Sequence, residues 1–480
     1  MHAPVGRSLA LLTDLYQLTM AAGYRREGLA DREAVFCQYF REAPFGGAFA
    51  IAAGLGTALA WLAELRFRDD DLEYLASLEG AGGAPLFDAE FLDYLGRLEF
   101  ACEVDAVAEG SVVFAHEPLL RVRGPLLQCQ IVETALLNIV NFQTLVATKA
   151  ARVCLAAGDD PVLEFGLRRA QGVDGGLSAS RAAYIGGCAA TSNVLAGKLH
   201  GIPVRGTHGH SWVLAFGDER DAFDAFARAM PHNCVLLVDT FDTPEGVRNA
   251  IEVGVRMREA GARLAGIRLD SGDLAGLSVK ARALLDEAGL QDTAIVASND
   301  LDEDSIAALK QSGAQVGIWG VGTSIASSGG QSALGGVYKL TLLRDASGDW
   351  QARAKSSEDP GKATLPGMLQ VRRYTVGGRL EADLIYDESD PPQASWCGVS
   401  LASGDAESRH TFEGTHRDLL QAVVADGQIV ESPEPLDAAR QRCHSELSML
   451  PDELMRTLSG SAAPVWLEEG VRRRQLDLLA

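Results

Sequence analysis

Two histidines, His208 and His210, stand two residues apart among small and polar residues where an apolar run ends, within residues 201–213. A transition-metal site would need a third nitrogen or sulfur ligand at matching spacing, and the sequence supplies none. The chemistry open to a strand-end histidine beside carboxylates is that of a base or a phosphoryl acceptor. Carboxylates stand at Asp239 and Asp270, each directly after an apolar run, and at Asp273 just beyond. They suit Mg²⁺ carried on a phosphorylated substrate, or the orientation of a histidine. Asp273 equally suits a helix N-cap. Arg168, Arg169 and Arg268 add guanidinium forks, which grip phosphate or carboxylate through paired hydrogen bonds. The stretch 320–324, with Gly322 and Thr323 at its centre, is a glycine–hydroxyl turn whose backbone N–H groups suit a phosphate. Taken singly, each group also has an ordinary reading as surface charge, turn or cap.

A repeat in the chain would bring them together. Apolar runs at residues 162–165, 201–205, 235–238, 264–269, 294–297 and 315–321 each end in polar residues. Those ends hold in turn Arg168 and Arg169; Thr207, His208 and His210; Asp239 and Thr240; Asp270 to Asp273; Ser298 to Asp300; and Gly322 to Ser324. Helical patterns separate several of them. Thr243 reads as an N-cap with Pro244 at the first helical position; Val247, Ala250, Ile251 and Gly254 share a face, and Gly261 closes the helix. Leu274, Leu277, Ala281, Leu284 and Leu285 form the next face, ended by Gly289, and Ile306 and Leu309 a third, ended by Gly313. Continuous apolar runs mark parallel strands covered on both faces. The alternation predicts an α/β fold, either a doubly wound sheet or a barrel, and in both the ligands gather at the carboxyl ends of the strands. No Gly-x-Gly-x-x-Gly opens the series, which favours an irregular TIM-like α/β barrel; no Walker A sequence is present, so any ATP site is of another kind.

The flanks differ in character. Near the N-terminus Thr13 or Asp14 is expected to cap a helix with Leu15, Leu18 and Ala22 on one face and Tyr16 off it. Phe45, Gly46 and Gly47 read as a turn, and residues 100–133 as a meander of short strands before a long helix at about 132–157. After residue 340 the chain becomes turn-rich, with strands at 369–376 and 384–386. A closing helix carries Leu436, Ala439, Cys443, Leu447 and Leu450 along one face. The domains predicted are a smaller α+β domain at 1–150, the barrel at 151–340 and a C-terminal mixed region at 341–480. A net charge of -22 argues against nucleic acid and anionic membranes. No stretch approaches the about 20 apolar residues of a membrane span. Eight scattered cysteines without close pairs fit a reducing, cytoplasmic setting.

With these stretches assembled, the chain closely resembles the nicotinate phosphoribosyltransferases over nearly its whole length. The matching stretches are Leu-Leu-Thr-Asp-Leu-Tyr-Gln (11–17), Pro-Phe-Gly-Gly (44–47), Glu-Phe-Gly-Leu-Arg-Arg-Ala-Gln-Gly (164–172) and Gly-Gly-Leu-Ser-Ala-Ser (175–180). They continue with Thr-Ser-Asn-Val-Leu-Ala-Gly (191–197), Gly-Thr-His-Gly-His-Ser (206–211), Arg-Leu-Asp-Ser-Gly-Asp-Leu (268–274), Gly-Thr-Ser (322–324) and Leu-Gly-Gly-Val-Tyr-Lys-Leu (334–340). Any one is weak; their shared order is highly specific.

The resemblance implies the irregular barrel of the type II phosphoribosyltransferases and the joining of nicotinate to phosphoribosyl pyrophosphate with coupled ATP hydrolysis, the first step of NAD salvage from nicotinate. It implies a phosphorylated His210 oriented by Asp239, with Asp270 near the ribose and pyrophosphate. Thr207, Arg268 and Tyr16 are implied at the nicotinate, Tyr16 coming from the partner subunit of a homodimer. Gly322 and Thr323 are implied at the ribose 5-phosphate, with Arg168 or Arg169 on a phosphate and Mg²⁺ on the substrate. One departure is local: His208 stands where an apolar residue is expected, and no role follows for it. The related nicotinamide enzymes carry an aspartate directly after the matching Gly-Thr. His208 is no carboxylate, which fits anionic nicotinate better than its amide. The alternatives are a nicotinamide phosphoribosyltransferase and a non-catalytic barrel that binds phosphorylated ligands; joint retention of His210, Asp239 and Arg268 counts against the latter.

Overall fold

The computed structural model describes residues 9–355, 364–391, 396–401, 409–430, 434–456 and 463–479. Five of the six apolar runs form parallel strands: Val162–Glu164, Val235–Leu237, Gly266–Leu269, Ala294–Ala297 and Ile318–Val321. A sixth strand, Ala190–Thr191, was not expected. The order in the sheet is Ala190–Thr191, Val162–Glu164, Ile318–Val321, Ala294–Ala297, Gly266–Leu269, Val235–Leu237. From Val235–Leu237 each strand lies beside the next in sequence, and Ile318–Val321 returns beside Val162–Glu164. The strands are only two to four residues long, and Leu236, Leu237, Ile267, Leu269, Ile295, Trp319 and Val321 are buried among them. The apolar runs are thus continuous because the strands have no solvent face.

The run at 201–205 does not make a strand. It meets Thr191 through a single parallel bridge at Val204, with Thr191 N–H donating to Pro203 O at 3.0 Å and Arg205 N–H to Thr191 O at 3.0 Å. Pro203 has no N–H to carry the ladder further. Among the described residues no ladder joins this edge to Val235–Leu237, so the sheet is an open parallel array within a mixed α/β fold, and a closed barrel is not seen.

Helices join successive strands, and their caps sit close to the sequence reading. The helix between Val235–Leu237 and Gly266–Leu269 is Thr243–Glu259, and its N-cap is Asp242, not Thr243: the Asp242 carboxylate accepts from Glu245 N–H. Asp273 is indeed a cap, accepting from Gly276 N–H at the head of Leu274–Glu287. Gly261, Gly289 and Gly313 all take the left-handed backbone that ends a helix, with φ of 76°, 74° and 79°.

These elements make up one compact unit, Lys149–Ser332; the rest of the chain, Met1–Thr148 with Ala333–Ala480, makes the other. The C-terminal region expected to stand apart therefore groups with the N-terminal one. The reason is strand pairing: Glu33–Phe40, unread from sequence, lies between Leu120–Pro125 and Gly336–Arg344, and Leu420–Ala425 pairs with Glu103–Val107. A second sheet in this unit joins Leu369–Val376, Arg379–Asp387 and Val465–Glu468 with shorter strands. Arg373 is buried there between Asp383 and Glu446, donating to Val112 O as well. The first helix, Leu15–Arg26, buries Gln17, Leu18 and Ala21; Leu15 is exposed, and Asp14 accepts from Thr134 instead of capping the helix.

Gly246 couples helix to strand end beside Asp239. A Cβ there would lie 2.0 Å from Val238 O. Gly246→Ala is expected to push the helix off the strand at a cost of about 1–3 kcal/mol, read as a lower unfolding midpoint than wild type.

Candidate active site

Two strand ends and the loop that bears Thr207 converge on Arg268. Its Nε donates to Ser298 Oγ at 2.7 Å, Nη1 to Thr207 Oγ1 at 3.2 Å and Nη2 to Asp270 Oδ1 at 2.7 Å. Three of the five guanidinium N–H donors are thereby used and two are left for a ligand. The group lies over the Phe165 ring, 5.9 Å from its centroid. Ser298 in turn donates to Asp270. Burial pushes the Asp270 carboxyl upward, but the Ser298 hydroxyl and the Arg268 guanidinium outweigh it and hold the group below its ordinary 3.8.

Asp239 lies beneath this pair. Its Oδ2 accepts from Asp270 N–H at 2.8 Å and from Ser271 Oγ at 2.7 Å. Its Oδ1 is buried and accepts no hydrogen bond from the described residues. His210 begins the short helix His210–Leu214, and its Nε2 faces both carboxylates, 4.0 Å from Asp239 Oδ1 and 3.7 Å from Asp270 Oδ2. Nδ1 lies 3.2 Å from Thr240 Oγ1, so the hydroxyl holds one ring nitrogen and leaves the other toward the carboxylates. An orphaned buried carboxylate oxygen facing a histidine nitrogen is a costly arrangement unless a proton, a cation or a cationic intermediate comes to it.

A second cluster forms where Val162–Glu164 and Ile318–Val321 end. Glu164 is buried, and its carboxylate accepts from Ser180 Oγ at 2.9 Å, Thr191 Oγ1 at 2.6 Å and Gly166 N–H. It fixes the turn Leu167–Arg169, on which Arg168 and Arg169 are exposed. A Cβ on Gly166 would come within 2.6 Å of Gly322 O, so this turn and the Gly322–Thr323 turn lie in contact. Thr323 is exposed at the head of Thr323–Ala326, and the neighbouring Ser324 hydroxyl is buried without a hydrogen-bond partner among the described residues.

Family models for the N-terminal and C-terminal domains of nicotinate phosphoribosyltransferase match residues 11–141 and 370–474. The nicotinate phosphoribosyltransferase of Bacillus subtilis (strain 168) is 41% identical over 96% of this chain and 93% of its own length. The chain belongs to the nicotinate phosphoribosyltransferase family. The Homo sapiens member is 38% identical over 97% of this chain and 96% of its own. The crystal structure of the human nicotinic acid phosphoribosyltransferase superposes with a TM-score of 0.85 at 35% identity, covering 97% of this chain and 99% of that one.

Of the residues singled out from sequence, the structure brings together Thr207, His210, Asp239, Arg268 and Asp270, and separately Arg168, Arg169, Gly322 and Thr323. Tyr16 belongs to the other unit, where it is half exposed; burial first, then Glu133, raise its hydroxyl above the ordinary 10.0. Asp273 caps a helix, as the simpler reading had it. Sequence reasoning missed Thr240, Ser271 and Ser298 as working partners, although each directly follows or lies next to a chosen strand end. It gave Glu164 and Phe165 no task within their stretch, since an apolar run offers no sign of which member turns inward to a polar contact.

Asp270 carries a pH prediction. Its carboxyl is depressed in the folded state, so its contribution to stability is full above 3.8 and is lost as the pH falls below that value toward the folded one. The unfolding midpoint of wild type is expected to exceed that of Asp270→Asn near neutrality, with the gap narrowing below pH 3.8. A gap independent of pH would contradict the network described.

Proposed function

We propose that the protein is an ATP-coupled nicotinate phosphoribosyltransferase. It would convert nicotinate, phosphoribosyl pyrophosphate, ATP and water to nicotinate mononucleotide, pyrophosphate, ADP and phosphate, the first step of NAD salvage from nicotinate. The observation that carries this reading is the strand-end group of Arg268, Thr207, His210, Asp239 and Asp270, in a chain whose relatives bear that enzyme's name. We read the parallel sheet as an irregular barrel, since its two edge strands, Ala190–Thr191 and Val235–Leu237, are successive in sequence, as closure would require.

In this reading the two remaining N–H donors of Arg268 bind the nicotinate carboxylate, joined by the Thr207 hydroxyl once it turns from His208 O, and Tyr16 of the partner protomer in a homodimer covers the ring. The pyridine nitrogen attacks the anomeric carbon as the bond to pyrophosphate breaks. Positive charge grows on the ribose, where Asp270 stabilises it. Negative charge grows on the leaving group, toward which Arg168 or Arg169 reaches, and the Gly322–Thr323 turn holds the ribose 5-phosphate. Mg²⁺ carried on the phosphates would offset their charge, and the free Asp239 oxygen would suit it. His210 takes the phosphoryl group of ATP on Nε2, the nitrogen that Thr240 leaves available. Its later hydrolysis biases transfer toward product. Asp239 and Asp270 orient the ring, and the unpaired thiols of the chain suit a cytoplasmic setting.

Incubation with nicotinate, phosphoribosyl pyrophosphate and Mg²⁺, with and without ATP, is expected to yield mononucleotide, faster with ATP. A preference for nicotinamide over nicotinate would overturn the substrate assignment. Radiolabelled ATP is expected to label wild type and leave His210→Ala unlabelled, while that variant keeps some ATP-independent transfer. Arg268→Lys keeps the charge but loses the fork, and is expected to lower kcat/KM for nicotinate about 10- to 100-fold, mainly through KM.

A further inference from the structure

His208 is the residue that the sequence leaves without work, and the structure places it at the one seam of the parallel sheet. The segment from Ile202 to Gly209 meets the Ala190–Thr191 edge through the backbone hydrogen bonds of Thr191. At the opposite edge, Leu237 N–H points out of the sheet and donates to His208 Nε2 at 3.2 Å. A side chain here takes the acceptor place that a neighbouring strand's carbonyl would fill. His208 Nδ1 lies 3.3 Å from Gly209 O, so a neutral ring with the proton on Nδ1 satisfies both contacts at once. The ring is buried, edge-on to Phe226 at 4.7 Å and tilted against Phe223. Trp212, two residues after His210, packs edge-on to the same Phe226 and donates to Ala222 O.

We infer that His208 is a positioning residue, whose neutral imidazole pins the loop carrying Thr207 and His210 to the edge strand that carries Asp239. The assignment rests on the phosphoribosyltransferase reading for what the loop does, and on the hydrogen bonds for where it is held. Thr207 and His210 flank His208 in the chain, so release of the ring moves the Arg268 partner and the Nε2 that faces Asp239 and Asp270 together. The ring works only without a second proton, because a protonated Nε2 cannot accept from Leu237. The charged groups that face it are Arg268 from the Gly266–Leu269 strand and His210 from its own loop; Glu219–Ala229 presents the two phenylalanine rings and Val235–Leu237 the backbone N–H. Burial first, then Arg268 and His210, hold His208 below its ordinary 6.5 despite the Gly209 contact. The sign follows: the pinning is complete above pH 6.5 and is lost as the pH falls below it toward the folded value.

The test uses the full-length protein and two variants. His208→Leu fills the space and offers Leu237 no acceptor, whereas His208→Gln sets an amide oxygen near the position of Nε2 and does not titrate. His208→Leu is expected to lose about tenfold or more in kcat/KM for nicotinate and in the rate of labelling by radiolabelled ATP, as a buried N–H is left unpaired. His208→Gln is expected to stay within about threefold of wild type and to lack one component of the acid limb below pH 6.5. If His208→Leu does not fold, the acid limb of His208→Gln decides alone. Wild-type kinetics in His208→Leu, or an acid limb in His208→Gln that coincides with wild type, overturns the proposal. Failure of the function reading shows separately, as wild type that makes no mononucleotide. In that event the unfolding midpoints still test the pinning: wild type falls relative to His208→Gln below pH 6.5, and parallel curves overturn it.

Discussion

A parallel sheet that does not close has two edges of unpaired backbone groups, and each buried N–H or C=O on them must find a partner. The arrangement of the strand-end site depends on how this chain meets that constraint. One edge is met by the backbone of residues 203–205 and the other by the imidazole of His208. The segment that answers both edges is also the one that bears Thr207 and His210. The solution to a backbone problem and the placement of reactive groups are therefore the same piece of chain.

The strands that end at the site are short, so ladders alone would hold their terminal residues loosely. Precision comes instead from side chains that cross between strand ends. Arg268 ties its own strand to Thr207 and Ser298; Asp239 ties its strand to Asp270 and Ser271; Glu164 ties its strand to Ser180 and Thr191. Two of these three ties are carboxylates accepting several donors each, which offsets the cost of burying charge in a chain that is already strongly acidic. The exception is Asp239 Oδ1, which is buried and accepts no hydrogen bond from the described residues.

The other unit solves a different problem. Its larger sheet is assembled from both ends of the chain, with Glu33–Phe40 paired to Gly336–Arg344 across some three hundred residues of sequence. Ion pairs reinforce these distant joins: Glu33 accepts from Arg123 and Arg344, and buried Arg373 donates to Asp383 and Glu446. Removing one partner of the buried Arg373 pairs would strand an uncompensated charge. Tyr16 stands on this unit beside Glu133 and Gln17.

The sequence by itself determined the α/β repeat, most strand positions, the helix stops at Gly261, Gly289 and Gly313 and the capping role of Asp273. These follow from local rules: apolar continuity, left-handed glycines and the chemistry of side-chain types. It misread residues 201–205 as a strand and the Leu15 face of the first helix, because tertiary neighbours overrule local pattern in both. Strand pairing between distant segments, the grouping of residues 333–480 with the N-terminal part, and the ties made by Ser298, Thr240 and Glu164 have no local signal. His208 is the clearest case. From sequence it matched His210 in type and setting, and only the tertiary structure turned one ring toward the carboxylates and the other into the seam. The physical reason is that a histidine's role is set by what its two nitrogens meet, and those partners lie some thirty residues away in the chain.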